Sequence, residues 1–500
     1  MHRALLLVLT VLVVGSAISC DTKDAETNAL VDPIKIETGY VSGTLTGDVD
    51  KQVRIYRGIP YAAPPVGDLR WKPPQPATPW TGIRECLQFC NSCPAPAVPP
   101  DPAGVPNSED CLYLNVLTSA KKASDSLPVM VWLHGGGYTL GSGSSELYNS
   151  ARLSSNGVVL VTTNMRLGTM GLLAHPLLSK ESSNGISGNY MFLDMIAALE
   201  WVQRNIARFG GNEKNVTIFG CSGGGAKVSC LMASSLTKGL FQRAIFQSGA
   251  AATWAPGKPL KDLEELGEKF FARLGVDKDA HPLKAARALP TETLIEAEMI
   301  LAREIVGNSD DELWDSAIDG HFLMDLPANI FRAGKQSPIP VITSANLGEL
   351  TGPGNYLMPY LVPDYLNILL GVDKAGQKGY ACIFNKVPGR WKQESCDSFH
   401  GLEQSYVFGD WDNSSGWWPA TFEFLAGPAG AKSLDPGFND GDRQISEKMM
   451  AMWSQFSQSG DPNVEDLVSW PAYDSEMEQY LYIGESVQAK PGFSKIIREQ

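Results

Sequence analysis

Two short stretches of this chain carry residue types at a spacing that could do acyl chemistry. The first is Gly220-Cys221-Ser222-Gly223-Gly224. Before it, residues 216–219 form a β-branched and aromatic run that reads as a buried strand, and after it residues 226–233 read as a helix. A serine on a sharp strand-to-helix turn is a nucleophile elbow, in which backbone strain lifts the hydroxyl clear of the sheet edge. Glycines flank such a serine because the turn leaves no room for bulk. The second stretch is Leu133-His134-Gly135-Gly136-Gly137, directly after the apolar run 129–133. Backbone without side chains can approach a carbonyl oxygen closely and aim N–H groups at it. The expected donors are the amides of Gly136 and Gly137, joined by that of Gly223 just after the serine. Each stretch alone also fits an ordinary glycine-rich turn, and the second lacks the Gly-Lys-Ser/Thr ending of a phosphate loop. The two together are far more specific than either.

An elbow serine needs a general base, and the chain has six histidines. His2 lies in the leader, and His134 and His175 precede Ser222. His281 and His321 leave little room for a positioned acid. In α/β hydrolases the order is serine, acid, histidine, and His400 is the only histidine in the last third of the chain. It sits in Ser398-Phe399-His400-Gly401, a loop after the strand-like run 381–384. The acid should hang from the loop after the preceding strand, where Glu349 follows the run 340–343. A carboxylate there would fix the imidazole tautomer and stabilise the imidazolium. Spacing alone leaves Asp319, Asp325 and Asp397 in competition with it.

These side chains need a scaffold. Strand-like runs recur at 129–133, 158–162, 216–219, 244–247, 340–343 and 381–384, with helical periodicity between several of them, as at 191–207 and 260–274. Strands alternating with helices predict a mostly parallel sheet covered on both faces. Ligands of such sheets sit at the carboxyl ends of the strands, and Ser222 follows one such end. The proline-rich stretch 73–106 reads as an irregular surface excursion.

The 500 residues carry a net charge of −14, which leaves no dominant basic face for nucleic acid. Arg3 followed by the apolar stretch 4–15 is too short to span a bilayer and reads as a targeting segment. The expected organisation is a signal peptide over 1–19, a flexible tether over 20–34, one domain over 35–490 and a tail over 491–500. Ala17-Ile18-Ser19-Cys20 resembles a bacterial lipobox, in which cleavage leaves Cys20 as the lipidated first residue. The protein is then exported, a lipoprotein facing the periplasm or cell exterior, with membrane contact only through that anchor. Ordinary signal-peptidase cleavage and secretion is the alternative. Setting Cys20 aside leaves eight of the nine cysteines, which suits an oxidising compartment. Cys90 and Cys93 have a zinc-like spacing, but no second Cys/His pair matches it. Disulfides are expected within the cluster Cys86, Cys90, Cys93 and Cys111, and Cys382 and Cys396 are close enough in sequence to bridge. Cys221 and Cys230 read as buried thiols. No metal or organic cofactor is expected.

Taken together, the motifs resemble the type-B carboxylesterase family, over nearly everything from residue 36 to 473. Tyr56-Arg57-Gly58-Ile59-Pro60-Tyr61-Ala62-Ala63-Pro64-Pro65 is similar to the family's N-terminal signature, and Ser108-Glu109-Asp110-Cys111-Leu112-Tyr113-Leu114-Asn115-Val116 to its second. Asn346-Leu347-Gly348-Glu349 lies where the family has its acid, and Phe399-His400-Gly401-Leu402-Glu403 where it has its histidine. The resemblance implies an α/β-hydrolase fold: a central, mostly parallel β-sheet flanked by helices, with large loop and helical insertions forming a substrate gorge. It implies a serine hydrolase of small carboxylic esters, working through an acyl-enzyme with a Ser222-Glu349-His400 triad, an oxyanion hole of Gly136, Gly137 and Gly223, and no cofactor. It also implies a Cys93–Cys111 disulfide, with Cys86 and Cys90 left to pair with each other.

The departures matter. Cys221 stands where the family usually has glutamate, which removes a carboxylate that helps cholinesterases hold cationic substrates. Two other functions compete with the esterase: a catalytically silent binding module, which need not keep the triad, and a lipase acting on acylglycerols. Residues 356–370 would be the lipase's lid, or else wall of the gorge. Trp411, Trp417 and Trp418 either line the gorge or pack within a loop.

Overall fold

The computed structural model describes residues 30–498, apart from 48–50, 96–103, 255, 308–311, 350–357 and 423–424. Its main sheet has eleven strands. In chain order they are β1 (Thr44–Thr46), β2 (Val53–Pro60), β3 (Tyr113–Thr118), β4 (Leu127–Leu133), β5 (Val159–Thr163), β6 (Gly211–Cys221), β7 (Arg243–Gln247), β8 (Val341–Asn346), β9 (Gly379–Phe384), β10 (Tyr480–Ile483) and β11 (Val487–Lys490). Across the sheet the order is β11-β10-β9-β8-β7-β6-β4-β5-β3-β2-β1. From β5 to β10 every neighbour is parallel. β3, β2 and β1 continue the sheet antiparallel on one edge, and β11 does so on the other.

The six apolar runs are the six central strands. All residues of β5, β8 and β9 are buried, as a strand covered on both faces requires. Alternate side chains feed separate cores. Val129, Val131 and Leu133 of β4 join one apolar cluster, while Met130 and Trp132 join another. The first cluster is closed by α1 (Tyr190–Asn205) and α2 (Gly223–Ala233), through Met191, Met195, Val228 and Leu231. The helix expected at 260–274 is α3 (Leu260–Leu274), whose Phe270 and Phe271 join the same cluster. Among the outer strands, β1, β10 and β11 escaped sequence reading because they have only three or four residues, and β2 because Gly58 and Pro60 interrupt it.

Residues 358–370 fall within α4 (Met358–Lys374), and residues 356 and 357 lie outside the described part. Leu361, Val362, Tyr365, Ile368 and Leu369 are buried in the first core. The described part of the supposed lid or gorge wall is thus a helix packed on the sheet. The last long helix, α5 (Asp440–Ser459), covers the other face with Met449, Trp453 and Phe456.

The cysteines correct two expectations. Cys93 and Cys111 are joined, but Cys86, Cys90, Cys382 and Cys396 are free thiols. Cys382 sits within β9 and faces the second core, while the Cys396 thiol turns to the carbonyl of Asp397 at 3.4 Å. Cys90 lies against Gly58, donating to its carbonyl at 3.7 Å. Nearness in sequence is not nearness of sulfur atoms: a bridge needs the two β-carbons to point at each other.

Candidate active site

Ser222 directly follows β6 and caps α2, with φ 60° and ψ −127°. A non-glycine residue with positive φ is held there only by its surroundings, at a cost of about 1–3 kcal/mol. The Ser222 amide donates to the Gln247 carbonyl on the adjoining β7 at 2.8 Å, and its own carbonyl receives the Ala226 amide at 3.2 Å. The flanking glycines have steric reasons. A β-carbon on Gly220 would lie 2.6 Å from the Leu133 carbonyl oxygen, and one on Gly223 would collide with the backbone of Gly137. The start of α2 is therefore pressed directly against the His134–Gly137 loop. Ser222 itself is half-buried.

The loops after β8 and β9 are zipped together. The Gly348 amide donates to the Ser398 carbonyl at 3.2 Å, and Asn346 Nδ2 to the Phe399 carbonyl at 2.6 Å. This juxtaposition sets Glu349 Oε2 2.5 Å from His400 Nδ1. Its other oxygen accepts the Asn346 amide at 2.8 Å. Glu349 is fully buried and His400 is 7% exposed. Burial opposes the charged imidazolium, but the charge and hydrogen bond of Glu349, helped by the charge of Glu403, more than offset it and hold the His400 pKa above its ordinary value. The structure thus brings Glu349 and His400 into contact, and leaves Asp319 elsewhere, capping a turn through the amides of His321 and Phe322.

Glu403 is a second buried carboxylate that sequence reading passed over. It accepts Asn346 Nδ2 at 2.7 Å and Gln247 Nε2 at 3.2 Å. Burial and then the charge of Glu349 push its pKa up, while hydrogen bonds from Cys221 and Asn346 and the charge of His400 pull it down. The residue begins the helix Glu403–Val407 that follows the histidine turn, and no local periodicity in the sequence marks it. Cys221 is buried against this carboxylate, and burial followed by the charges of Glu403 and Glu349 pushes its thiol pKa well up. The family's usual carboxylate at this place is replaced by a neutral thiol facing another carboxylate.

On the other flank, Gly136 and Gly137 have φ of 86° and 59°. Among the described residues, neither amide donates to a protein acceptor. Of the three tryptophans, Trp418 is fully buried beneath the histidine loop, its ring 5.5 Å from that of Phe399 and its Nε1 donating to Ser405 Oγ. Trp417 packs on Tyr148, and Trp411 lies under Arg152. Among the described residues no group of three or more His, Cys, Asp or Glu side chains is arranged to hold a metal ion.

A mostly parallel sheet with a strained serine between strand and helix at its carboxyl edge defines an α/β hydrolase. The model of the carboxylesterase family matches residues 31–364 and 360–496. The chain belongs to that family. It is 32% identical to the fumonisin B1 esterase of Sphingopyxis macrogoltabida, across 90% of this chain and 87% of that protein. It is 30% identical to the para-nitrobenzyl esterase of Bacillus subtilis (strain 168), across 91% and 95%. Among solved structures, a PNB esterase superposes with a TM-score of 0.78 at 26% identity, covering 93% of this chain and 98% of that one.

Proposed function

We propose that this carboxylic ester hydrolase works through Ser222, His400 and Glu349. The carrying observation is the buried Glu349–His400 contact at the sheet edge where the strained Ser222 stands. The Ser222 hydroxyl adds to the ester carbonyl while His400 takes its proton through Nε2. Glu349 receives the Nδ1 proton as a hydrogen bond, holds the tautomer and stabilises the imidazolium. The amides of Gly136, Gly137 and Gly223 receive the developing oxyanion. His400 then protonates the departing alcohol, leaving an acyl-enzyme, and activates the water that releases the acid.

The complete set of groups supports an enzyme rather than a silent binding module. The packing of α4 against the sheet gives no support to a lid over lipid aggregates. A panel of para-nitrophenyl, para-nitrobenzyl and naphthyl esters of increasing acyl length, alongside carbamates and acylglycerols, tests the substrate range. Turnover of soluble esters, lost in Ser222→Ala, is the expected result. Activity only on emulsified acylglycerols would favour the lipase.

The N-terminal segment lies outside the described residues. We propose from its sequence that residues 1–19 are removed on export and that Cys20 carries a lipid anchor. Intact-mass analysis of the mature protein tests this. An unmodified N-terminus at any other residue contradicts it.

A further inference from the structure

Lys227 lies in α2, five residues beyond Ser222, and is fully buried. A buried ammonium is costly unless its donors are satisfied. Its Nζ donates to the His134 carbonyl at 2.9 Å and to the Gly137 carbonyl at 2.8 Å. Both acceptors belong to the loop assigned above to the oxyanion. The other two carbonyls of that loop are also taken: Gly135 O lies 2.9 Å from His134 Nδ1, and Gly136 O receives the Leu140 amide at 2.9 Å. The Gly136 N–H shares a planar peptide with the Gly135 carbonyl and the Gly137 N–H with the Gly136 carbonyl, so the contacts of those two carbonyls set the direction of the two amides, while Lys227 pins the peptides on either side of them.

The peptide between Gly137 and Tyr138 is gripped at both ends. Lys227 holds its carbonyl, and Glu312 Oε1 accepts its N–H at 2.6 Å. Glu312 Oε1 also occupies the space that a β-carbon on Gly137 would need. The charged and titratable groups facing Lys227 are Glu312, the neutral imidazole of His134 and the ring of Tyr138, 5.9 Å away. Glu298 and Asp315 face Glu312 in turn. Burial pushes Lys227 down and Glu312 up, and the charge of Glu312 pulls Lys227 back toward its ammonium form.

We propose that Lys227 and Glu312 are positioning residues for the reaction: together they clamp the His134–Gly137 loop so that the Gly136 and Gly137 amides are pre-aimed at the oxyanion. This rests on the triad and oxyanion assignment above. Neither residue touches substrate; the ammonium acts by pinning the His134–Gly135 and Gly137–Tyr138 peptides, which bracket the two peptides that carry the Gly136 and Gly137 N–H groups.

The test compares wild type with Lys227→Met and Glu312→Gln in the full chain, using a para-nitrophenyl ester and a trifluoromethyl ketone whose adduct with serine carries an oxyanion. In Lys227→Met, kcat should fall about 100-fold, the lower end of losing one oxyanion donor. KM should stay within about threefold, and ketone affinity should fall in step with kcat/KM, because the lost interaction belongs to the transition state. A folded Lys227→Met protein with kcat within about threefold of wild type and unchanged ketone affinity overturns the proposal. Should Lys227→Met not fold, Glu312→Gln decides. It keeps an acceptor for the Tyr138 amide but removes the charge, so the alkaline limb of kcat should move to lower pH by about one unit as Lys227 loses its proton earlier. An unmoved limb overturns the proposal. Ser222→Ala separates the two levels: if it retains turnover, the nucleophile assignment itself has failed, whatever Lys227 does.

Discussion

Ser222 stands between two buried, charged flanks that are built in opposite ways. On the base side, Glu349 and Glu403 place two carboxylates around His400, linked through Asn346, which bonds to both. On the oxyanion side, a single ammonium, Lys227, binds loop carbonyls, with Glu312 on the far side of the same peptide. In the mechanism proposed above, the first flank stabilises positive charge as it develops on the imidazole. In the same proposal, the second steadies backbone dipoles toward negative charge as it develops on the substrate. In a site of low dielectric both effects are larger than in water. On that proposal, a reaction that separates charge across about one ester group is matched by a protein that separates opposite charges across one serine.

The largest break comes from removing the centre. Ser222→Ala should lower turnover by about 10⁶-fold, the usual loss for a triad nucleophile, with an unchanged circular dichroism spectrum. Turnover within tenfold of wild type would discard the assignment.

Breaking the base flank should come next. Glu349→Gln should cost about 10⁴-fold in kcat, as expected when the tautomer is no longer held. The same panel of esters measures it, and a loss smaller than that from Lys227→Met would reverse the order of the two flanks.

Removing only the more distant charge of that flank should sharpen the comparison. In the proposed mechanism His400 must be neutral to accept the serine proton, and its pKa is raised partly by Glu403. Wild-type kcat/KM should therefore fall on the acid side with a midpoint above the ordinary histidine value of about 6.5. Glu403→Gln removes a charge that favours the imidazolium, so the midpoint should drop and activity should persist to lower pH. A pH–rate profile checks this; a midpoint that rises would contradict the sign.

The smallest effect should be at Cys221, whose thiol is buried and protonated beside Glu403. Cys221→Ala should keep activity within about tenfold, through pocket volume alone. If Cys221→Ala is as inactive as Ser222→Ala while still folded, the thiol has a catalytic part.

Much of this protein is determined by sequence alone, because the relevant physics is local. Continuous apolar runs of strand length identify the central strands, since a strand buried on both faces must be apolar throughout. The elbow and the His134–Gly137 loop are visible because only glycine fits their turns and close approaches. Chain order singles out His400, and family resemblance selects Glu349. What remained open was decided by contacts between residues far apart in the chain. Glu349 meets His400 because Asn346 and Gly348 zip two loops together. Lys227 reads as one more residue on an otherwise apolar helix until the loop after β4 packs on it from 90 residues away. Glu312 lies 174 residues from the Tyr138 amide it accepts. Cys86, Cys90, Cys382 and Cys396, free where bridges were expected, follow the same rule, since side-chain direction, not spacing, sets which sulfur atoms meet. Periodicity and turn chemistry are written residue by residue, whereas the pairing of buried charges exists only once the sheet has brought its strand ends together.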